Sequence, residues 1–445
     1  MILKTIPQVH IETFGCQMNE SDSELVRSML KREGFVFTED RERADVVLVN
    51  TCAIRENAHN KIYAHLSELR TLKKQRPLVV CVLGCMAQNL KSAMTEKEPL
   101  IDVLAGPDAY RQLPSLLTTA LEAQEQGLFQ KGFALDLSEY ETYEGIMPDR
   151  DSGVNAWITV MRGCDNFCSF CVVPYTRGRE RSRDPRSILH EARDASARGF
   201  RQITLLGQNV NSYRHEDWDF ARLITAVADT AGIDRVRFTS PHPKDFPVAL
   251  IKAIATHPKV CKHIHLPLQA GSDRILELMG RTYAGAEYLA LVDRIRSTVP
   301  DVVLTTDIIC GFCSESDEDF QSTSRMVEQA QFDSAYIFKY SERKHTIAAR
   351  KYTDDVPDQV KGMRVARLVE TQRRITLERN RRYIGKDVEI LVERDATRSS
   401  TQAMGKTDGN ITVVWDKSTG DFKPGTLTMK HIFDASAATL YGECP

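Results

Sequence analysis

Residues 161–183 read MRGCDNFCSFCVVPYTRGRERSR and hold three cysteines, Cys164, Cys168 and Cys171, spaced CxxxCxxC. The thiolate form of cysteine is a metal ligand, so a set at this spacing raises metal chemistry first. A structural zinc takes four ligands, usually paired CxxC units with a matching Cys or His pair downstream, and no such pair completes this set. A 4Fe-4S cluster on three thiolates leaves one iron open, as a catalytic zinc keeps an open position, and an open iron can chelate a substrate. The remaining reading is three buried, unliganded cysteines. The charged and polar neighbours in this Gly/Asp/Asn loop disfavour it.

A second set of three stands near the start. Cys16, Cys52 and Cys85 each follow, within two residues, one of the apolar runs VHIETFG (9–15), ADVVLVN (44–50) and LVVCVLG (78–84). Between these runs lie the helix-like stretches ESDSELVRSMLKREG, with Ser21 or Asp22 as the expected N-cap, and AHNKIYAHLSELRTLKKQ. Strand, helix, strand, helix, strand is the pattern of a parallel sheet with right-handed crossovers. All its strand C-termini share one edge, so thiols far apart in sequence meet where open sheets build their sites. Buried free cysteine is the competing reading, and the shared strand-end position favours ligands. Cys81, Cys261, Cys310, Cys313 and Cys444 carry no such pattern; Cys310 and Cys313 form a CxxC without a thioredoxin-type context.

The elements that must position these residues follow from the rest of the chain. At 445 residues, about three domains are expected. With 42% hydrophobic and 27% charged residues the composition is that of a soluble globular protein. No basic leader with an apolar core opens the chain, and no run of about 18 apolar residues occurs, so a cytoplasmic protein without membrane contact is expected. Eleven cysteines in such a chain argue for metal or thiol chemistry over disulfides. A net charge of −2 supplies no global attraction for nucleic acid, which leaves local patches. One is the arginine-rich segment 161–186; another is 361–382, with eight Lys/Arg against two Glu.

The fold class expected is α/β in three parts. Residues 1–122 form the N-terminal parallel-sheet α/β domain, and 123–153, where acids dominate and periodicity stops, a linker. Residues 154–350 hold six strand-and-helix repeats, with strands near 156–162, 202–207, 235–239, 263–268, 302–309 and 335–340. These suggest a partial (β/α)6 barrel with its functional groups at strand C-termini, among them Gln208, Asn209, Gln269 and Asp307. A basic helical connector (351–383) leads to a small antiparallel β-barrel at 384–445, read from KDVEILVERD, ITVVWDK, TLTMKHI and TLYGE with DGN and TGDFKPG turns.

CxxxCxxC at the end of the first strand of such a barrel resembles the radical S-adenosylmethionine (SAM) superfamily. With TFGCQMNESDSE, VNTCAIRENA, LGCMAQ, LLGQNVNSY, FTSPHP, HLPLQAGSDRILELMGRTY and DIICGF, nearly the whole chain resembles the radical SAM methylthiotransferases acting on N6-dimethylallyladenosine in tRNA. That resemblance implies two 4Fe-4S clusters. Cys164, Cys168 and Cys171 would bind the SAM-cleaving cluster, and Cys16, Cys52 and Cys85 an auxiliary cluster carrying the sulfur to be donated. Phe170 would pack beside the SAM adenine, and Gln208, Asn209, Gln269 and Asp307 are candidates to line the SAM pocket. One SAM would methylate the sulfur and a second would give the radical that takes hydrogen from C2 of the adenine, leaving a 2-methylthio base beside the anticodon. The final barrel is similar to a TRAM domain, an RNA-binding module of OB-like form. The arginines after Cys171, the 361–382 helix and that barrel are then candidates for phosphate contacts around one barrel mouth. An electron donor such as flavodoxin or ferredoxin, a sulfur source and a monomeric state complete the expectation.

Two loops depart from the family pattern. Where the family has GFPGE this chain has Gly311, Phe312, Cys313, Ser314 and Glu315, and where it has RPGT this chain has Arg343, Lys344, His345 and Thr346. Three other functions compete: a sister methylthiotransferase acting on threonylcarbamoyl-adenosine tRNA, one acting on a ribosomal-protein aspartate, and a non-catalytic iron-sulfur RNA-binding protein.

Overall fold

The computed structural model describes residues 6–53, 56–244, 246–396, 399–419 and 422–444. Ile54 and Arg55 of the NTCAIRENA motif, and Gly420 and Asp421 of the TGDFKPG turn, lie outside these residues. The chain forms two compact bodies. One comprises Met1–Asp151, Met161–Arg183 and Arg343–Arg350, the other Ser152–Val160, Asp184–Glu342 and Lys351–Pro445.

The first body is built on a six-stranded, all-parallel sheet. Its spatial order is Val36–Phe37, Gln8–Thr13, Val46–Thr51, Val79–Gly84, Val103–Ala105 and Gly132–Ala134. The central strands VVLVNT and VVCVLG are buried along their whole length, because helices cover both faces. Val46, Leu48, Cys81 and Leu83 point to one face, against Leu25, Val26 and Leu30 of helix Gln17–Arg32. Val47, Val49, Val80 and Val82 point to the other, against Ile62, Leu66 and Leu69 of helix Glu56–Gln75. Helix Gln17–Arg32 begins directly after Cys16, so the expected caps Ser21 and Asp22 lie inside it, and both are buried.

The stretch expected as a linker belongs to this body. Gly132–Ala134 adds the sixth strand beside Val103–Ala105, and Tyr143 and Ile146 enter the core. The expectation failed because three sheet residues and two isolated anchors leave no periodic signal.

The second body carries six parallel strands, each a spatial neighbour of the next in sequence. Asn155–Thr159, Gln202–Leu206 and Arg235–Phe238 form one sheet; His263–His265, Val303–Cys310 and Ser334–Lys339 form another. A parallel bridge from Val236 to Val260 leads from the first to the second. This is the partial (β/α)6 barrel expected. The strand predicted at 156–162 stops at Thr159, and Met161–Arg162 instead pairs antiparallel with Arg181–Ser182 in the first body.

Residues Asp387–Asp395, Gln402–Thr407, Thr412–Asp416, Leu440–Glu443 and Leu427–Ala435 close, in that order, into a five-stranded barrel. Its second strand was not foreseen: Ala403, Gly405 and Thr407 face inward, too small and polar to show an apolar alternation. The barrel docks on the N-terminal ends of the half-barrel strands. Arg235 donates to the Lys406 carbonyl (2.6 Å), and Arg237 to the carbonyls of Asp408 and Thr407 (2.6 Å each). It therefore does not flank the strand C-termini as expected. Among the described residues no helix is long and apolar enough to cross a membrane.

Candidate functional site

The spatial order of the parallel sheet reverses between Gln8–Thr13 and Val46–Thr51, and open sheets take ligands beyond the strand C-termini at such a reversal. Cys16 and Cys52 follow those two strands, and Cys85 follows the adjacent Val79–Gly84. Gly15 is in close contact: a Cβ there would stand 2.6 Å from the Cys52 Cβ. Gly84 turns the chain with φ +90°, and a Cβ on it would meet the Thr51 carbonyl oxygen at 2.5 Å. Only glycine permits that turn and that approach together.

Buried amides hold the edge in register. Asn19 Nδ2 donates to Asn50 Oδ1 (2.9 Å) and to the Thr51 carbonyl (3.2 Å), while Asn50 Nδ2 donates to the Asn19 carbonyl (2.9 Å). The Asn19 Oδ1 accepts from the Cys16 N–H (3.4 Å) and lies 3.3 Å from the Cys16 thiol. The Cys16 thiol is pulled down to about 6, chiefly by a hydrogen bond with Cys52 and further by the Arg177 cation, which together outweigh burial. Burial pushes the Cys85 thiol up in spite of the same arginine.

Segment 161–183, with the second cysteine set, lies in the same body as the first. Gly163 (φ +81°) starts its turn, where a Cβ would fall 1.9 Å from the Arg179 carbonyl oxygen. Cys164 N–H then bonds the Gly178 carbonyl (3.1 Å), and Cys171 N–H the Cys168 carbonyl (3.0 Å), closing the loop on itself. Burial pushes the Cys164 thiol up to about 11, against an Asn166 amide that lies 3.5 Å from its sulfur. Phe170 is half-buried, and Val172 packs with Ala53 and Cys85, so the chain leaving the second set rests on the first.

The two sets are clamped by a buried ion cluster that sequence reasoning missed. Asp22, fully buried, accepts from Arg162 Nη2 (2.6 Å) on one oxygen and from Arg177 Nη2 (2.8 Å) on the other. Tyr110 OH adds a third bond at 3.3 Å. Burial opposes the charge of Asp22, yet the two guanidinium groups hold its carboxyl below the usual carboxylate range. The Arg177 Nε–H donates to Cys85 Sγ at 3.2 Å. The one available signal lay in helix Gln17–Arg32: Asn19 and Asp22 share a helical face with Val26 and Met29, so polar groups occupy stripe positions.

The arginines expected to meet phosphate are therefore largely internal. Arg162, Arg177, Arg181 and Arg183 are buried, and Arg181 pairs with Asp108 (2.8 Å). Arg179 stays exposed over the Phe167 ring, with Asp165 at 3.3 Å. In helix Asp358–Arg381, Lys361 pairs with Asp354, Arg364 with Asp317 (2.7 Å) and Arg379 with Asp333. With Arg374 beside Glu378 (3.5 Å), half of the eight cations in the 361–382 run face acids of their own body.

In the second body Gln208 and Asn209 follow strand Gln202–Leu206 as expected. Gln269 takes φ +70°, and its backbone bridges to strand Val303–Cys310. Asp307 lies inside that strand rather than at its end; Gln269 N–H bonds its carbonyl (2.8 Å) and its carboxylate faces His265 (3.3 Å). Gln269 and Asp307 thus stand at one level of the half-barrel. The two departed loops keep the backbone that glycine would serve: Ser314 has φ +62° and His345 φ +71°.

Among the described residues no three His, Cys, Asp or Glu side chains converge closely enough to hold a single metal ion. Thiolates of a four-iron cluster bind separate irons and stand apart, so two wider sets of three soft ligands suit clusters better than lone ions. None of the six cysteines is in a disulfide. The buried Arg177 Nη1 has no acceptor among the described residues, and sulfur atoms of an anionic cluster beside Cys85 would supply one.

Residues 8–106 match a family described as uncharacterized protein family UPF0004, and residues 158–327 match the radical SAM superfamily. The tRNA-2-methylthio-N(6)-dimethylallyladenosine synthase of Porphyromonas gingivalis strain W83 is 46% identical, over 98% of this chain and 94% of its own length. The protein of that name from Pelodictyon phaeoclathratiforme is 46% identical over 97% of both chains. Among solved structures, a radical S-adenosylmethionine methyltransferase, TsrM, from Kitasatospora setae with cobalamin and a 4Fe-4S cluster bound superposes with TM-score 0.59. It is 14% identical over 78% of this chain and 77% of its own, a likeness of fold alone.

Proposed function

This chain belongs to the radical SAM methylthiotransferase family, among the tRNA-2-methylthio-N(6)-dimethylallyladenosine synthases, and we propose that it methylthiolates C2 of N6-dimethylallyladenosine beside the anticodon of tRNA. The observation that carries this reading is the pair of three-cysteine sets in one body, joined by Asp22, in a chain 46% identical to those synthases along nearly its whole length.

Cys164, Cys168 and Cys171 would hold the SAM-cleaving cluster and Cys16, Cys52 and Cys85 the auxiliary one, with Phe170, Gln208, Asn209, Gln269 and Asp307 proposed for SAM. When bound, these cofactors supply the radical, the methyl group and the sulfur. The chain's own work is placement. The Asn19–Asn50 pair fixes the strand edge that presents the first thiols, and the Gly163 turn presents the second. Buried Val172 and Ala53 keep water from Cys85. Residues 1–122, 154–350 and 384–445 would divide the labour into auxiliary-cluster, radical SAM and RNA-binding parts. The five-stranded barrel, whose strand order suits an OB-like module, would be the TRAM part. A cytoplasmic monomer, reduced by a donor such as flavodoxin or ferredoxin and resupplied by a sulfur source, completes the proposal.

The test is nucleoside mass spectrometry of tRNA incubated anaerobically with cluster-reconstituted protein, SAM and a reductant. A methylthio product on dimethylallyl-adenosine alone is expected. Product on threonylcarbamoyl-adenosine instead would reassign the substrate, and SAM cleavage without any tRNA product would point to a protein target or an unfilled auxiliary cluster.

A further inference from the structure

The cluster around Asp22 carries an imbalance of charge. Two buried guanidinium groups, Arg162 and Arg177, face one buried carboxylate, and the phenol of Tyr110 adds no charge. Arg181, the next buried arginine, has its own acid in Asp108 (2.8 Å). Asp22 therefore balances only one of the two guanidinium charges, and the anion that balances the other in this water-excluded region has to come from the cysteine side that Arg177 faces. Of the two arginines, Arg177 is the one that reaches sulfur: its Nε–H meets Cys85 Sγ at 3.2 Å, and its field also acts on Cys16. A further donor, Arg177 Nη1, is buried without an acceptor among the described residues. Surplus charge, directed contact and orphaned donor coincide at the first cysteine set.

We infer that Arg177 is the positioning residue of the auxiliary iron-sulfur cluster: it donates N–H···S bonds to that cluster through Cys85 and supplies the cation that balances its negative charge. The inference rests on the proposal that Cys16, Cys52 and Cys85 are its ligands. A four-iron cluster on three thiolates is net anionic, and more so when reduced. A fixed cation at hydrogen-bond distance therefore stabilises the reduced form more than the oxidised one and raises the reduction potential. It also opposes loss of iron, since partners of metal ligands carry about 10–100-fold of metal affinity. Asp22 has a distinct task, holding the guanidinium in place from its far side.

The experiment uses the full chain carrying Cys164→Ala, Cys168→Ala and Cys171→Ala, so that iron can reside only at the first set. Iron and sulfide per chain, iron release to a chelator and an EPR-monitored redox titration are measured with Arg177, Arg177→Lys and Arg177→Gln. Arg177→Gln is expected to move the midpoint potential negative and to speed iron release about 10–100-fold. Arg177→Lys keeps the charge without the fork and is expected to recover most of the potential and less of the retention. Arg162→Gln removes an equal charge from the other side of Asp22 without touching a thiol. It should lower thermal stability comparably while shifting the potential less, which separates folding from cluster tuning. An unchanged potential and release rate in Arg177→Gln would overturn the inference while the ligand reading stands. A background chain that binds no iron would overturn the ligand reading itself, and the inference with it.

Discussion

Single residues here carry two kinds of strain, electrostatic and conformational. Asp22 is one carboxylate between two guanidinium groups, at 2.6 and 2.8 Å, with no exposed surface. Breaking a buried pair leaves the partner ion uncompensated at a cost of about 3–5 kcal/mol. Asp22→Asn should therefore destabilise the cluster-free chain by roughly that amount in urea unfolding, and a loss below about 1 kcal/mol would mean that water compensates the arginines. Conformational strain sits at Ser314 and His345, whose φ of +62° and +71° fall where the family pattern has glycine. Left-handed backbone costs an L-residue about 1–2 kcal/mol, partly offset by the larger chain entropy glycine loses on folding. Ser314 keeps its N–H on Asp355 Oδ1 (2.7 Å), a bond that any residue can make, and its hydroxyl adds only a long, exposed bond to Asp355 Oδ2 (3.4 Å). Ser314→Gly and His345→Gly are each expected to raise stability, by about 0.5–1 kcal/mol, in calorimetry of the intact chain. A drop in either would show that the side chain has a compensating partner.

At the level of elements, turns decide where thiols end up. Gly84 must hold φ +90° while the Thr51 carbonyl oxygen and Asn50 Oδ1 would stand 2.5 and 2.6 Å from any Cβ. Gly84→Ala should push strand Val79–Gly84 away from Val46–Thr51 and part Cys85 from Cys52, roughly halving the iron bound by the reconstituted chain because only the first set is disturbed. Full iron content would show that the edge relaxes. What the sequence made legible follows the same logic. Val46–Thr51 and Val79–Gly84 announce themselves because strands covered on both faces are apolar without interruption, and a cysteine just after each is then a strand-end residue. Val36–Phe37, Val103–Ala105 and Gly132–Ala134 are too short to show a period, and Gln402–Thr407 is built on Ala403 and Gly405. The Asp22 cluster was illegible for another reason. It joins residues 140 and 155 positions apart, and charge pairing over such a separation leaves no periodic trace.

The largest departure from the sequence-based picture concerns the whole second body, whose basic helix and terminal barrel had been read as an RNA surface at the barrel mouth. A fully paired arginine and a free one look alike in sequence; only the fold shows Arg235 and Arg237 turned into the seam between half-barrel and terminal barrel. Arg237 donates to Gln202 Oε1 (3.0 Å) at the start of one strand and to the Thr407 and Asp408 carbonyls (2.6 Å each) across that seam. It thus ties the terminal barrel to the strand N-termini, the end opposite Gln208 and Gln269. On the proposed reading of that barrel as the RNA-binding part, bound RNA would reach the strand C-terminal end without the barrel lining it. Loosening the barrel should then weaken tRNA capture and leave SAM cleavage alone. Arg237→Leu removes donors from the buried Thr407 carbonyl and Gln202 amide oxygen, each costing about 1–3 kcal/mol when left unpaired, and from the part-buried Asp408 carbonyl. Trypsin should begin to cut near Arg381, Arg382 and Lys386, where helix Asp358–Arg381 hands over to the barrel. The KM for tRNA should rise several-fold while SAM cleavage without tRNA keeps its rate. Equal loss of both would mean that the seam supports the half-barrel interior itself, and that the terminal barrel is a structural base rather than a separately docked RNA module.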